Sequence, residues 1–174
     1  MGKLWDKGEA LDALIESFTV GEDYLLDNNL VGADALGSIA HARVLHKAGL
    51  LNEKELLDLE ENLSVIITLH QKGEFPITLK DEDCHTAIEN FLTKAVGEAG
   101  KKIHTGRSRN DQVQTALRLW MREFVLTLLS EVTALVETLF TFAQEHAALP
   151  MAGRTHMQLA MPSSVGLWGA SFGE

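Results

Sequence analysis

MREFVLTLLSEVTALVETLFTF, residues 121–142, is the stretch on which the fold turns. Met121, Val125, Leu128, Val132, Leu135, Leu139 and Phe142 step by four and three in alternation, which is a heptad seam. Leu117, Trp120, Phe124, Leu129, Val136 and Phe140 add further apolar faces, so the helix needs several neighbours. The pattern predicts one helix from about Asn110 to Ala148, roughly 58 Å long at 1.5 Å per residue. A compact chain of 174 residues has a radius of gyration of only about 16 Å. Such a helix is expected to project and to be covered by other subunits or by further sequence. The alternative is a monomeric bundle with the helix kinked or broken near Thr127 to Ser130.

Upstream lies KKIHTGRSRNDQVQTALRLW, residues 101–120, which gathers Lys101, Lys102, His104, Arg107 and Arg109 in its first nine residues, in a chain of formal charge -10. Ser108-Arg109-Asn110-Asp111 has the shape of a helix cap, which points the first free N–H groups of the long helix into the preceding loop. Thr105, Ser108 and Asn110 are neutral donors, Arg107 and Arg109 are planar forks suited to carboxylates, and Gly106 lets the backbone approach closely. By composition alone, a carboxylate site and solvated arginines beside an ordinary cap are equally good readings.

Downstream, PMAGRTHMQLAMP at 150–162 reads as a connection between helices. Pro150 and Gly153 end one helix, and Pro162 opens the next. Thr155, His156 and Gln158 fall in that connection, and a lone histidine there is either a structural residue or a proton-handling group. Glu82-Asp83-Cys84-His85 lacks paired metal-ligand spacing, so we read these acids as helix-start charges and expect no metal.

Towards the amino terminus the period stays helical. Asp23 to Ala48 forms one helical stretch stopped by Gly49, and Asn52-Glu53-Lys54-Glu55 opens a second helix through Leu56, Leu59, Leu63, Ile66 and Leu69. KGEFPITLKDED, residues 72–83, breaks the pattern as a brief strand or extended loop, and a third helix follows to about Val96. The expected fold is all-α, with an amino-terminal helical domain at residues 1–109 and the start of a helical bundle at 110–174.

Bulk properties restrict the function. The acidic balance argues against nucleic-acid affinity, leaving a small anion as the partner of the basic cluster. No apolar run approaches the ~20 residues that span a bilayer, and the first residues do not resemble a signal peptide. The single cysteine, Cys84, suits a reducing compartment. A cytoplasmic protein is expected, with no membrane partner.

KKIHTGRSRNDQV, together with the T-H-x-Q-x-A-x-P pattern at Thr155 to Pro162, closely resembles the argininosuccinate lyases of the fumarase/aspartase superfamily. KLWDKG resembles that family's opening, LGSIAHARVLHKAGLL its first hairpin, and EDCHTAIE its E-D-x-H-x-x-x-E segment, so the likeness covers nearly the whole chain. The resemblance implies a cofactor-free, reversible elimination of argininosuccinate to arginine and fumarate, in a homotetramer built on four-chain helical bundles. It implies that Arg109 and Asn110 meet the substrate carboxylates. Thr155 and His156 would lie at the reacting end, His156 as a catalytic group. Arg107, Ser108, Gln158, Asp27 and His85 would complete the substrate-binding set.

Some positions depart from the family. Ala152 and Arg154 stand where a proline and a tyrosine are usual. Gly21, Glu22 and Asp23 stand where many relatives carry a serine. A third signature, G-S-S-x-M-P-x-K-x-N, whose serine is thought to remove the proton, has no counterpart here. The expectation is therefore an amino-terminal portion of such a lyase, inactive alone. A superfamily lyase acting on another succinyl adduct or on fumarate, and a non-catalytic helical assembly module, are the alternatives.

Overall fold

The computed structural model describes residues 13–174; the KLWDKG segment lies outside the described residues. Eight α-helices and one two-stranded sheet are present among them. The chain forms two compact units, Met1–Met121 and Arg122–Glu174, so the division falls inside the longest helix.

In the first unit the helices are α1 (Ala13–Val20), α2 (Asp23–Leu26), α3 (Val31–Lys47), α4 (Glu53–Gln71), α5 (Cys84–Val96) and α6 (Glu98–Lys102). The helical stretch expected from Asp23 to Ala48 is interrupted by a 3-10 turn at Asp27–Asn29. Its cause is side-chain competition: Asn29 Nδ2 donates to the Leu26 carbonyl, and Asp27 Oδ2 accepts the Cys84 N–H at the start of α5, 3.2 Å away. α4 begins as its sequence predicts. The Asn52 side chain accepts the Glu55 N–H and the Glu55 carboxylate accepts the Asn52 N–H, both at 2.9 Å, which completes a capping box. Asp83 caps α5 by accepting the Thr86 N–H.

The core joins Val31, Ala35, Ala42 and Leu45 of α3 to Leu59, Leu63 and Ile66 of α4 and to Ile88 and Leu92 of α5. Each fully buried leucine or isoleucine contributes about 1.5–3 kcal/mol relative to exposure. The KGEFPITLKDED segment is a loop rather than a strand, and it closes the core with Phe75, whose ring meets Phe91 edge-on at 5.8 Å.

The heptad stretch belongs to one helix, α7 (Arg109–Glu145, 37 residues), without the break near Thr127 to Ser130 that a monomeric bundle would need. Thr127, Thr133, Thr138 and Thr141 each donate to the carbonyl four residues earlier, so their hydroxyls are satisfied along an apolar surface. The seam is bare over most of its length: Val125 is 54% exposed and Leu135 58%. By length and composition α7 could cross a membrane, which overturns the expectation that no segment reaches that threshold. Glu131 and Glu137 interrupt the apolar run, which hides its hydropathy from a search for unbroken stretches. With the seam uncovered, the chain is expected to self-associate. Sedimentation over a concentration series should give a mass above that of one chain; a concentration-independent monomer would refute this.

The connection between helices is also corrected. Residues 150–162 form no plain loop but part of a hairpin, with β1 (Pro150–Thr155) antiparallel to β2 (Gln158–Ser164). His156 and Met157 make its two-residue turn with φ of 50° and 62°, the backbone sign of a type I′ connection. Gly153 lies at the irregularity in β1, where a Cβ would come within 2.9 Å of the Met161 carbonyl oxygen. Pro162 is therefore a strand residue opposite Ala152 and not the first turn of a helix. The last helix, α8 (Val165–Gly173), starts three residues later because Ser164 caps it, accepting the Leu167 N–H at 3.0 Å.

Candidate active site

α7 opens with a reciprocal cap. Asp111 Oδ2 accepts the Ser108 N–H at 2.8 Å, and Ser108 Oγ accepts the Asp111 N–H at 3.4 Å. The Ser108 N–H, with a smaller contribution from the Ser108 side chain, holds the Asp111 carboxyl below the ordinary carboxylate range. A depressed carboxyl contributes stability above its unfolded pKa, and that contribution is lost as pH falls through the folded value. Asp111→Asn should therefore lower the melting temperature at neutral pH, with the difference closing in acid. A gap that persists at the lowest pH would assign the effect to something other than charge.

Arg107 and Arg109 stand at this helix mouth, and neither is a freely solvated surface charge. Arg107 Nη2 donates to Ser38 Oγ at 3.0 Å, and burial pulls its pKa down from the ordinary guanidinium value. Arg109 Nη2 donates to Thr86 Oγ1 at 3.2 Å and Nη1 to Gln112 Oε1 at 3.4 Å, while Asp83 and Glu89 carboxylate oxygens each lie 3.7 Å from its guanidinium. Burial pushes the Glu89 carboxyl up against the opposing pull of Arg109, His104 and Arg107. Glu89 Oε1 lies 3.3 Å from His104 Nδ1, yet neither atom makes an aligned hydrogen bond, nor does Arg107 Nε.

Behind the arginines, His85 Nδ1 sits 2.9 Å from Asp34 Oδ2, which also accepts from Gln112 Nε2 at 2.9 Å. A cavity of about 130 Å³ adjoins this cluster, lined in part by Asp34, His41, Arg107 and Gln112. Asp27, whose carboxyl is raised chiefly by burial, reaches the same region through Cys84.

Arg107, Arg109, Asp27 and His85 are thus brought into one region, with Ser108 as cap and Asn110 exposed on the first turn of α7. Thr155, His156 and Gln158 form a local group in the second unit: Thr155 pairs with Gln158 across the turn, and Thr155 Oγ1 lies 2.9 Å from His156 Nδ1. His156 is exposed and sits in the left-handed region, a conformation uncommon for residues other than glycine and frequent at functional sites. Asp34, Ser38, Glu89 and Gln112 were not singled out as site residues in the sequence. The available signal was Asp34 itself, a charge on the buried face of α3 beside Val31, Ala35 and Ala42.

Asp27, Cys84 and His85 hold possible metal-ligand atoms within 4.8 Å of one another, a grouping their sequence spacing does not suggest. The donors suit a metal poorly. Burial and neighbouring carboxylates push the Cys84 thiol far up, Asp27 is bonded to a backbone N–H, and His85 Nδ1 faces Asp34.

The fold has counterparts among solved structures. A fumarate lyase:delta crystallin from Brucella melitensis superposes with a TM-score of 0.74 at 20% identity, over 94% of this chain and 43% of that one. An EDDS lyase variant with bound fumarate gives 0.70 at 22%, over 96% and 33%. The chain belongs to the lyase family whose sequence model matches residues 7–174. Among curated relatives, argininosuccinate lyases of Thermotoga neapolitana and Sorangium cellulosum are each 45% identical to it, over 95% and 99% of this chain, and that of Xanthomonas axonopodis pv. citri is 42% identical over 98%. The chain spans about two fifths of their length, 42%, 40% and 40% respectively.

Proposed function

We propose that the protein carrying this chain is an argininosuccinate lyase, splitting argininosuccinate into arginine and fumarate without a cofactor. The observation that carries the reading is the 42–45% identity to enzymes of that name along almost all of the chain. The anchored arginines at the mouth of α7 supply the matching chemistry. Removing a proton from the carbon beside a carboxylate builds a dianionic aci-carboxylate, and preorganised cations with helix N–H groups stabilise charge that develops there. The C–N bond then breaks, and the departing guanidinium nitrogen takes a proton.

Arg109 and Asn110 bind the succinyl carboxylates, with Arg107, Ser108, Asp27 and His85 supporting them, while Gln158 contacts substrate from the hairpin that carries Thr155 and His156. Thr155 engages Nδ1 of His156, which leaves Nε2 as the ring nitrogen for proton traffic. The bare seam of α7 takes the matching helices of other copies in a homotetramer with shared active sites. Glu131 and Glu137 favour such partners over lipid, because a buried carboxylate in hydrocarbon is costly. A buried free thiol at Cys84 suits a reducing, cytoplasmic setting.

The test is to purify the protein as its gene encodes it and follow fumarate by its ultraviolet absorbance on adding argininosuccinate. Turnover on the scale of about 1 per second or more is expected. Its absence, alongside turnover of another succinyl adduct, would move the protein to a different lyase. The 174-residue chain assayed alone is expected to be inactive.

A further inference from the structure

Asp34 is 2% exposed and accepts from three directions. Ser38 Oγ of its own helix lies 3.5 Å from Oδ1, while His85 Nδ1 of α5 and Gln112 Nε2 of α7 each lie 2.9 Å from Oδ2. Two of these groups lead outward to an arginine. Arg107 Nη2 donates to Ser38 Oγ at 3.0 Å, and Arg109 Nη1 donates to Gln112 Oε1 at 3.4 Å. Every donor in both relays points towards the one buried carboxylate. Two guanidinium groups two residues apart repel each other, and their long side chains have many rotamers. A shared anion behind them offsets the repulsion, and each relay selects one direction for its fork.

We infer that Asp34 is a positioning residue. Through Ser38 and Gln112 it sets the spacing and direction of Arg109, which binds the substrate's carboxylates, and of Arg107, which supports it. The substrate part rests on the lyase reading above; the positioning part rests on the hydrogen bonds alone.

Ser38→Ala removes the relay to Arg107 and Gln112→Met the relay to Arg109, each with little change of volume. Asp34→Asn removes the charge both relays share. In the protein as its gene encodes it, kcat/KM should fall about 10-fold for each relay variant and about 10²-fold for Asp34→Asn, the scale of an ångström-sized misplacement. Ser38→Ala should be non-additive with Arg107→Lys, and Gln112→Met with Arg109→Lys, with a coupling larger than in the crossed pairs, which are linked only through Asp34. Crystal structures of the relay variants should show each releasing only its own arginine. Additivity within the matched pairs, or arginines unmoved in those crystals, would overturn the assignment, and both readouts remain if Asp34→Asn does not fold. A wild-type protein that makes no fumarate would sink the lyase reading instead, while the arginine positions would still decide the role of Asp34.

Discussion

His156→Asn in the full protein lowers kcat by about 10²- to 10⁴-fold, the range for loss of a general acid or base, and leaves KM nearly unchanged. Asparagine suits this test because it tolerates the left-handed backbone better than most residues, and position 156 has a φ of 50°. The hairpin turn and the Thr155–Gln158 pair should therefore survive. What asparagine cannot do is exchange a proton near neutrality. The kcat–pH profile should lose one limb. If kcat and both limbs persist, the histidine only shapes the turn, and the chemistry assigned to this loop is wrong.

Arg109→Lys costs a few kcal/mol of transition-state stabilisation, read from kcat/KM, about the scale for loss of one preorganised donor. The charge is kept; the fork is not. Arg109 reaches Thr86 with one terminal nitrogen and Gln112 with the other, with Asp83 and Glu89 carboxylates nearby. A lysine ammonium is a compact point on a flexible stem and cannot hold those directions at once. Melting curves separate the two roles of this residue. Lost activity with an unchanged transition supports carboxylate binding, whereas unchanged kinetics would leave Arg109 as a strut between α5 and α7.

The hairpin is not legible in local residue preferences. Pro150, Gly153 and Pro162 look like helix stops and starts when read by local preference. In the structure Pro150 pairs with Ser164 and Pro162 with Ala152, Gly153 lies at the strand irregularity, and the connecting turn is made by His156 and Met157 at positive φ. No Asn-Gly or Asp-Gly signal marked the turn. The expected helix from Asp23 failed differently, since Asp27 is drawn to a backbone N–H that lies 57 residues further along.

The sequence by itself determined the elements whose causes lie within about one helical turn. The Asn52–Glu55 capping box, the Asp83 and Ser108–Asp111 caps and the alternating seam from Met121 to Phe142 all join residues three or four apart, so local spacing suffices to read them. Only the tertiary structure decided what the polar residues of the first unit do. His85 and Gln112 reach Asp34 across 51 and 78 residues, and Arg107 reaches Ser38 across 69. Until α3, α5 and α7 pack, nothing distinguishes a carboxylate that anchors two arginines from one that faces water. Burial makes that distinction, because an acid removed from solvent must find its partners within the fold.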